Sequence, residues 1–327
     1  MGGDSKRIRD LARQLVASAD DDQARRLRGS LDDPRLREWT YLPGDRDGLP
    51  YGDLDVIQRE LVLELLDATH TDAGAATVAV AIETERVRRR IGSGNLEMDS
   101  DIGPDRYWVR VLGDPSGGPS GEEPWGWRIN GHHLAVHLMM AGDRVSVTPH
   151  FVGAEPAEVR VGPQAGLRAL GPEEDLAREL LHALDPDQRR IAVYDDEPPK
   201  DILTRFDPVA DPTVLPDGLS YADLTDPQRN LLERLVRRYL DRAPASYADA
   251  CWREVEEAGV DQLAFAWAGG PNRGERHYYC VTGPELLIEY DNTQDDGNHT
   301  HSVWRHLRDD WGADLLRAHY EAGHRAG

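Results

Sequence analysis

Apolar positions along this chain recur at helical spacing in some stretches and alternate at strand spacing in others. Leu61 and Leu65, and again Leu231 and Leu235, stand four apart and predict two amphipathic helices. In the later one Thr225 reads as the N-cap, and Pro227 sits in the first turn, where its missing N–H costs nothing. A second helix is predicted after each, near residues 75–91 and 246–258. A helix over 172–192 places Leu176, Leu180, Leu181 and Leu184 on one face. Another over 6–28 has an arginine-rich face, and a last one begins near Asp309. Residues 107–112 and 263–268 are aromatic and branched, end at Gly/Pro loops, and read as strands. Residues 125–129, a turn at Asn130-Gly131, residues 132–140 and 144–148 predict a three-stranded antiparallel meander. Residues 277–281 and 285–290 form the matching hairpin.

The matches are more than architectural. Residues 48–66 recur at 218–236 with nine of nineteen positions identical, and residues 111–115 and 127–131 parallel 267–271 and 279–283. Two copies are too few for a solenoid. The expected fold is therefore α+β, with two tandem similar halves, each of helices plus antiparallel sheet, and an N-terminal helical extension. The boundaries are residues 1–40 for the extension, 41–170 for the first half, 171–215 for a connecting helix and linker, and 216–327 for the second half.

Composition narrows the function. The chain has 327 residues and a formal charge of -22, which repels phosphate backbones and argues against nucleic acid. No stretch approaches the roughly 18 apolar residues of a membrane span, and no secretory signal is visible at the start, so a cytoplasmic protein is expected. The two cysteines, Cys251 and Cys280, form no Cys-x-x-Cys and read as buried free thiols.

Two histidine clusters carry the chemical signal: His132, His133 and His137 in one, His299 and His301 in the other. Neutral imidazole is the commonest ligand for zinc, copper and iron. His299 and His301 at i, i+2 on an extended segment point the same way, roughly 6.6 Å apart. His133 and His137 are about 13 Å apart along a strand, near the limit for sharing an ion. A two-residue loop at Gly142-Asp143 would bring His150 opposite Ala135 on their face; a three-residue loop would turn it away. In the matching strand Glu289 and Asp291 occupy the face opposite Leu286, Ile288 and Tyr290. Other constellations fail. A calcium loop starting at Asp291 needs glycine at position six and glutamate at twelve, where the chain has Asp296 and Ser302. Residues 117–121 lack the strand–helix setting and lysine of a phosphate cradle.

Gly131-His132-His133-Leu134, the run from Phe151 to Pro156, Trp267-Ala268-Gly269, the run from Leu287 to Asp291, that from Asn298 to Arg305 and that from Gly312 to His319 resemble the family known as domain of unknown function 3500. The resemblance spans roughly residues 45–320. It implies a grouping of His132, His133, His299, His301, Arg305 and Asp314 and no particular reaction. His137 departs from the family pattern.

The reading that follows is a metal-dependent enzyme with a histidine-rich mononuclear site for one copper, iron or zinc ion, acting oxidatively on a small molecule or peptide. His133, His299 and His301 bind the ion and His137 or Asp291 completes the set. Glu289 serves as a general base or orienting group and Arg305 holds a substrate carboxylate. The alternatives are a zinc-dependent hydrolase and a non-catalytic metal- or ligand-binding protein.

Overall fold

The computed structural model describes residues 2–92, 100–118 and 120–325; Met1 and Pro119 lie outside them. It is a mixed α+β protein. Among the described residues there are nine α-helices: α1 (Gly2–Ser18), α2 (Asp21–Leu27), α3 (Val56–Ala68), α4 (Asp72–Ile91), α5 (Gly171–Ala183), α6 (Pro186–Ala192), α7 (Asp226–Leu240), α8 (Ala245–Ala258) and α9 (Ala313–Arg325). The strands are β1 (Arg28–Gly29), β2 (Leu49–Pro50), β3 (Trp108–Gly113), β4 (Trp125–Gly131), β5 (Leu134–Ala141), β6 (Arg144–Ser146), β7 (His150–Ala154), β8 (Val193–Asp195), β9 (Leu219–Ser220), β10 (Ala264–Gly269), β11 (His277–Thr282), β12 (Leu286–Gln294) and β13 (His299–His306). No described helix is long and apolar enough to cross a membrane.

Local chemistry sets the helix ends. The continuous helices expected over 6–28 and 172–192 are each two. Asp20 caps α2 and Asp185 caps α6, both in capping boxes that restart the helix after a break. Asp55 and Thr225 open α3 and α7 in the same way, with Gln58 and Gln228 as the reciprocal partners. These two glutamines are buried and do more. Gln58 also bonds the Ser18 carbonyl and Gln23; Gln228 bonds the Ala183 carbonyl and Gln188. Gln58 thus ties α3 to the break between α1 and α2, and Gln228 ties α7 to the break between α5 and α6.

All strands join one sheet, in the order β1-β3-β4-β5-β7-β13-β12-β11-β10-β8, with β2, β6 and β9 attached at the side. Pairing is antiparallel except at β1–β3 and β8–β10. The first forty residues belong to this body: Ile8, Leu11, Ala12, Leu15 and Leu27 are buried in the main core. That core fills one sheet face, against the helices, and holds Trp125, Trp127, Trp267 and Trp304. The other face is covered by connectors. Trp39 and Tyr41, then Ile202, and Trp311 ahead of α9 pack there on Ala135, Phe151 and Val303. Cys251 and Cys280 are buried and free.

The meander departs from expectation in two places that matter. Asn130-Gly131 is not the turn; β4 runs through both, and Gly131 pairs with Leu134. The glycine serves a close approach instead, since a Cβ there would lie 2.1 Å from a ring carbon of Tyr107. The two-residue turn is His132-His133, with His133 at φ 60°, a left-handed conformation that histidine visits more readily than most residues. The second departure concerns His150. The Gly142-Asp143 loop does have two residues, because Ala141 pairs with Arg144. Yet Met139 pairs with Ser146 while Ala135 pairs with Phe151, a one-residue slip between β6 and β7. Such a slip turns every following side chain to the other face. His150 therefore points into the helix layer, where its Nε2 lies 2.9 Å from His70 Nε2.

A buried charge ties helices to the central strands. Arg242, after α7, donates to Glu173 Oε1 at 3.0 Å and to Ser302 Oγ at 3.0 Å. Ser302 Oγ in turn donates to the Val152 carbonyl. Among the described residues, removing Arg242 leaves the buried Glu173 with only Arg238, whose Nε is 3.3 Å away. Arg242→Ala is expected to cost about 3–5 kcal/mol in urea unfolding; a loss under about 1 kcal/mol would show the pair to be solvated.

Candidate functional site

Pairing of β7 with β13 sets Gly153 opposite His301. The Gly153 N–H donates to the His133 carbonyl at 2.8 Å, so the β4–β5 turn, the end of β7 and the start of β13 meet. Gly153 is needed here. A Cβ would approach His133 Cδ2 to 2.8 Å and the Thr300 carbonyl to 2.9 Å. His299 and His301 share the connector-covered face of β13 with Val303, while Ser302 and Trp304 face the helices.

Four imidazoles converge at this junction. His133 Nε2 lies 2.8 Å from His299 Nε2. The His132 and His133 rings are 3.7 Å apart, and His301 lies 4.8 Å from His299, centre to centre. His132, His133 and His299 each offer a nitrogen within 4.8 Å of the others. Carboxylates stand behind them. Glu85 on α4 is fully buried, with Oε1 2.8 Å from His132 Nδ1 and Oε2 3.3 Å from His133 Nδ1. Asp295 Oδ2 is 3.1 Å from His299 Nδ1. Glu155, paired with Arg88, completes a second group with Asp295 and His299. Asp295 is the exposed member, so the junction meets solvent on its side.

Charge divides these groups. Burial pushes His133 well below its ordinary value, with the neighbouring histidines adding to the effect, and burial also lowers His299; both rings are neutral near pH 7. Burial by itself would raise the Glu85 carboxyl. The adjoining imidazoles, His132 foremost, outweigh it and hold Glu85 well below the usual carboxylate range. His301 is opposite in character. Its Nδ1 is 3.1 Å from Asp201 and 3.4 Å from Asp291. Burial opposes its charge, but Asp291 and then Asp201 prevail and raise it to about 9. A protonated His301 thus sits beside the neutral histidines, under Tyr41 at 4.8 Å and Phe151 at 5.7 Å.

The other sequence candidates lie elsewhere. His137 stacks on Trp311 at 4.4 Å, and its Nε2 is 2.6 Å from the Thr148 carbonyl. With His132-His133 forming a turn, strand spacing no longer relates His133 to His137. Asp291 joins His301 and Asp201, apart from the three-histidine group. Glu289 accepts from the Leu203 and Thr204 amides, the Thr204 hydroxyl and the Tyr278 hydroxyl; burial pushes its carboxyl up against these donors. It fastens a connector to the sheet. Arg305 is bound to Asp310 at 2.7 Å and Asp314 to Arg317.

Four acidic members escaped sequence reasoning. Glu85 had a signal, for it follows Val78, Ala81 and Ile82 at helical spacing and so carries a carboxylate on an apolar face. Asp295 lay in a segment read only as a turn. Glu155 lay in the family motif from Phe151 to Pro156 but was not singled out, and Asp201 gave no signal.

The fold and this junction define an α+β protein with a buried histidine–carboxylate cluster. The chain belongs to the family described as Protein of unknown function (DUF3500), which matches residues 2–313. Neither the curated proteins nor the solved structures contain a match.

Two outcomes test the geometry. Gly153→Ala is expected to cost about 1–3 kcal/mol and to part His133 from His299, read as altered imidazole ¹⁵N shifts; unchanged shifts would refute the close packing. Glu289→Gln replaces an acceptor oxygen with a donor and orphans buried donors at about 1–3 kcal/mol each. Faster amide exchange at Leu203 and Thr204 is the expected signature, and unaltered protection there would mean that the connector is held by other contacts.

Proposed function

We propose that this protein is a metal-dependent enzyme whose single ion is held by His132, His133 and His299. The observation that carries this is the 2.8 Å contact of His133 Nε2 with His299 Nε2, with the Nδ1 of each ring facing a carboxylate. His299 Nδ1 is hydrogen-bonded to Asp295 and His133 Nδ1 lies 3.3 Å from Glu85 Oε2, which favours the N–H of each neutral ring on its carboxylate side. Two Nε2 lone pairs are then left facing each other. Burial disfavours a proton between them, and a metal ion that accepts both lone pairs suits the site. His132, with Nδ1 engaged by Glu85, has Nε2 to offer as a third ligand.

The donor set is three imidazoles without thiolate, which favours copper, non-haem iron or zinc. When bound, such an ion supplies Lewis acidity or redox chemistry. The chain's own residues do the rest. Glu85 and Asp295 fix the ring tautomers and make the ligand nitrogens more basic. His301 holds a proton beside the ligands, kept there by Asp201 and Asp291. Tyr41 and Phe151 shut water out on the connector side, which favours oxidative chemistry on a small molecule or peptide over hydrolysis.

The architectural repeat belongs to the same reading. The chain is two tandem helix-plus-sheet units that meet at β7 and β13. The nine identities between 48–66 and 218–236 support it, as do the Gln58 and Gln228 networks at equivalent positions. On that view the helix pairs α1–α2 and α5–α6 open the two units.

Metal analysis of protein purified without a histidine tag tests the site. About one equivalent of copper, iron or zinc per chain is expected, lost in His133→Ala and His299→Ala and retained in His137→Ala. Protein that stays metal-free after incubation with each of the three ions would end the proposal.

A further inference from the structure

Next to Tyr41 the connector-covered face holds a cavity of about 620 Å³, within the usual range for small-molecule sites. Trp39, Leu42, Pro43 and Phe206 give it apolar walls, and Arg128 and Asn130 reach it from β4. It adjoins the histidine junction. Tyr41 packs on Phe206 at 5.6 Å and on His301 at 4.8 Å, and Asn130 is two residues from His132.

Arg128 is the unusual member. In a chain with 60 acidic and 38 basic residues, buried arginines elsewhere find carboxylates: Arg110 has Asp33 and Asp47, Arg242 has Glu173, and Arg305 has Asp310. Arg128 is only 6% exposed and makes no ion pair among the described residues. Its Nη1 donates to the carbonyls of Leu36 and Glu38 at 3.3 and 3.1 Å. Among the described residues its Nε and Nη2 donate to nothing. These two N–H groups form the side edge of the guanidinium, the edge that takes a carboxylate in two parallel hydrogen bonds. Burial, with Arg110 nearby, pushes Arg128 down to about 10, as expected for a guanidinium short of counter-charge. A second donor waits at the wall, since the Trp39 indole N–H is buried without a partner.

The remaining lining narrows the ligand. Asp45 and Asp47 are engaged by Arg106 and by Arg110 with Arg35. Glu38 and Asp207 also border the cavity and would repel a polyanion. We infer that this cavity binds a small aromatic monocarboxylate, with its carboxylate on the Nε–Nη2 edge of Arg128 and its ring against Trp39 and Phe206. As the substrate pocket of the histidine centre the cavity rests on the metal reading; as a binding site it does not.

The test uses the whole chain, with benzoate, 3-phenylpropionate and indole-3-acetate as probes and 3-phenylpropionamide as the uncharged control, titrated by calorimetry and ligand-observed NMR. At least one acid is expected to saturate below about 1 mM, with the amide at least tenfold weaker. Arg128→Lys keeps the charge and loses the fork, so binding is expected to fall about tenfold with thermal stability and metal content unchanged. Phe206→Ala, a half-buried position away from the Arg128 contacts, is expected to weaken the acids severalfold. Overturning results are equal binding of acid and amide, no saturation by any acid up to about 10 mM, or undiminished binding in Arg128→Lys. His133→Ala separates the two proposals. Acid binding that survives in this variant upholds the cavity whatever the fate of the metal site, whereas binding abolished by it and untouched by Arg128→Lys would place the carboxylate on the ion and not on Arg128.

Discussion

The pairing of β7 with β13 is the constraint on which the rest depends. Five residue pairs, from Thr300 opposite Ala154 to Trp304 opposite His150, join segments about 150 positions apart. Entropy opposes such long-range closure, so something must hold it. The ladder itself, the Ser302 hydroxyl on the Val152 carbonyl and the Arg242–Glu173 pair behind it do so. With that pairing in place, a turn in one part of the chain and a strand end in another present their histidines to the same point.

The two faces of the sheet divide the work. The helix face is a conventional apolar core in which five tryptophans supply bulk. The connector face is mixed. It holds Arg110, Arg128, Glu289, Asp291, His301 and Arg305, each buried. Burying so many charges is expensive unless each is answered, and most are: by amides and hydroxyls at Glu289, by an aspartate at Arg305, by a histidine at Asp291. Arg128 stands out because, among the described residues, it alone of these arginines has no carboxylate partner. The His133–His299 contact stands out because two buried rings, each with Nδ1 facing a carboxylate, bring their Nε2 atoms to 2.8 Å. Both lie in the same neighbourhood, where Tyr41 packs on Phe206 of the cavity wall and on His301.

Much of this was legible in the chain. Periodicity located α3, α4, α7 and α8 and the strands β3, β4, β10 and β11, because their burial is one-sided and imprints a period on the sequence. Thr225 as N-cap followed from local hydrogen-bonding chemistry. The histidine pairs at 132–133 and 299–301 were visible because their density is unusual. Less legible were the places where tertiary contact overrules local preference. Asn-Gly is a strong turn signal, yet the Tyr107 ring needs Gly131 within the strand. The slip between β6 and β7 sends His150 to the helix side, and no local pattern announces it.

The sequence by itself determined the class of the fold, the Thr225 cap, the family and the residue types from which a site could be built, since each of these is written in neighbours a few positions apart. Only the tertiary structure decided which histidines meet, that Glu85 and Asp295 stand behind them, that His137, Glu289 and Arg305 are bound to other partners, and that Arg128 keeps a free edge. Those outcomes turn on strand register and on contacts between residues far apart in the chain, where shifting one residue reverses the face a side chain occupies.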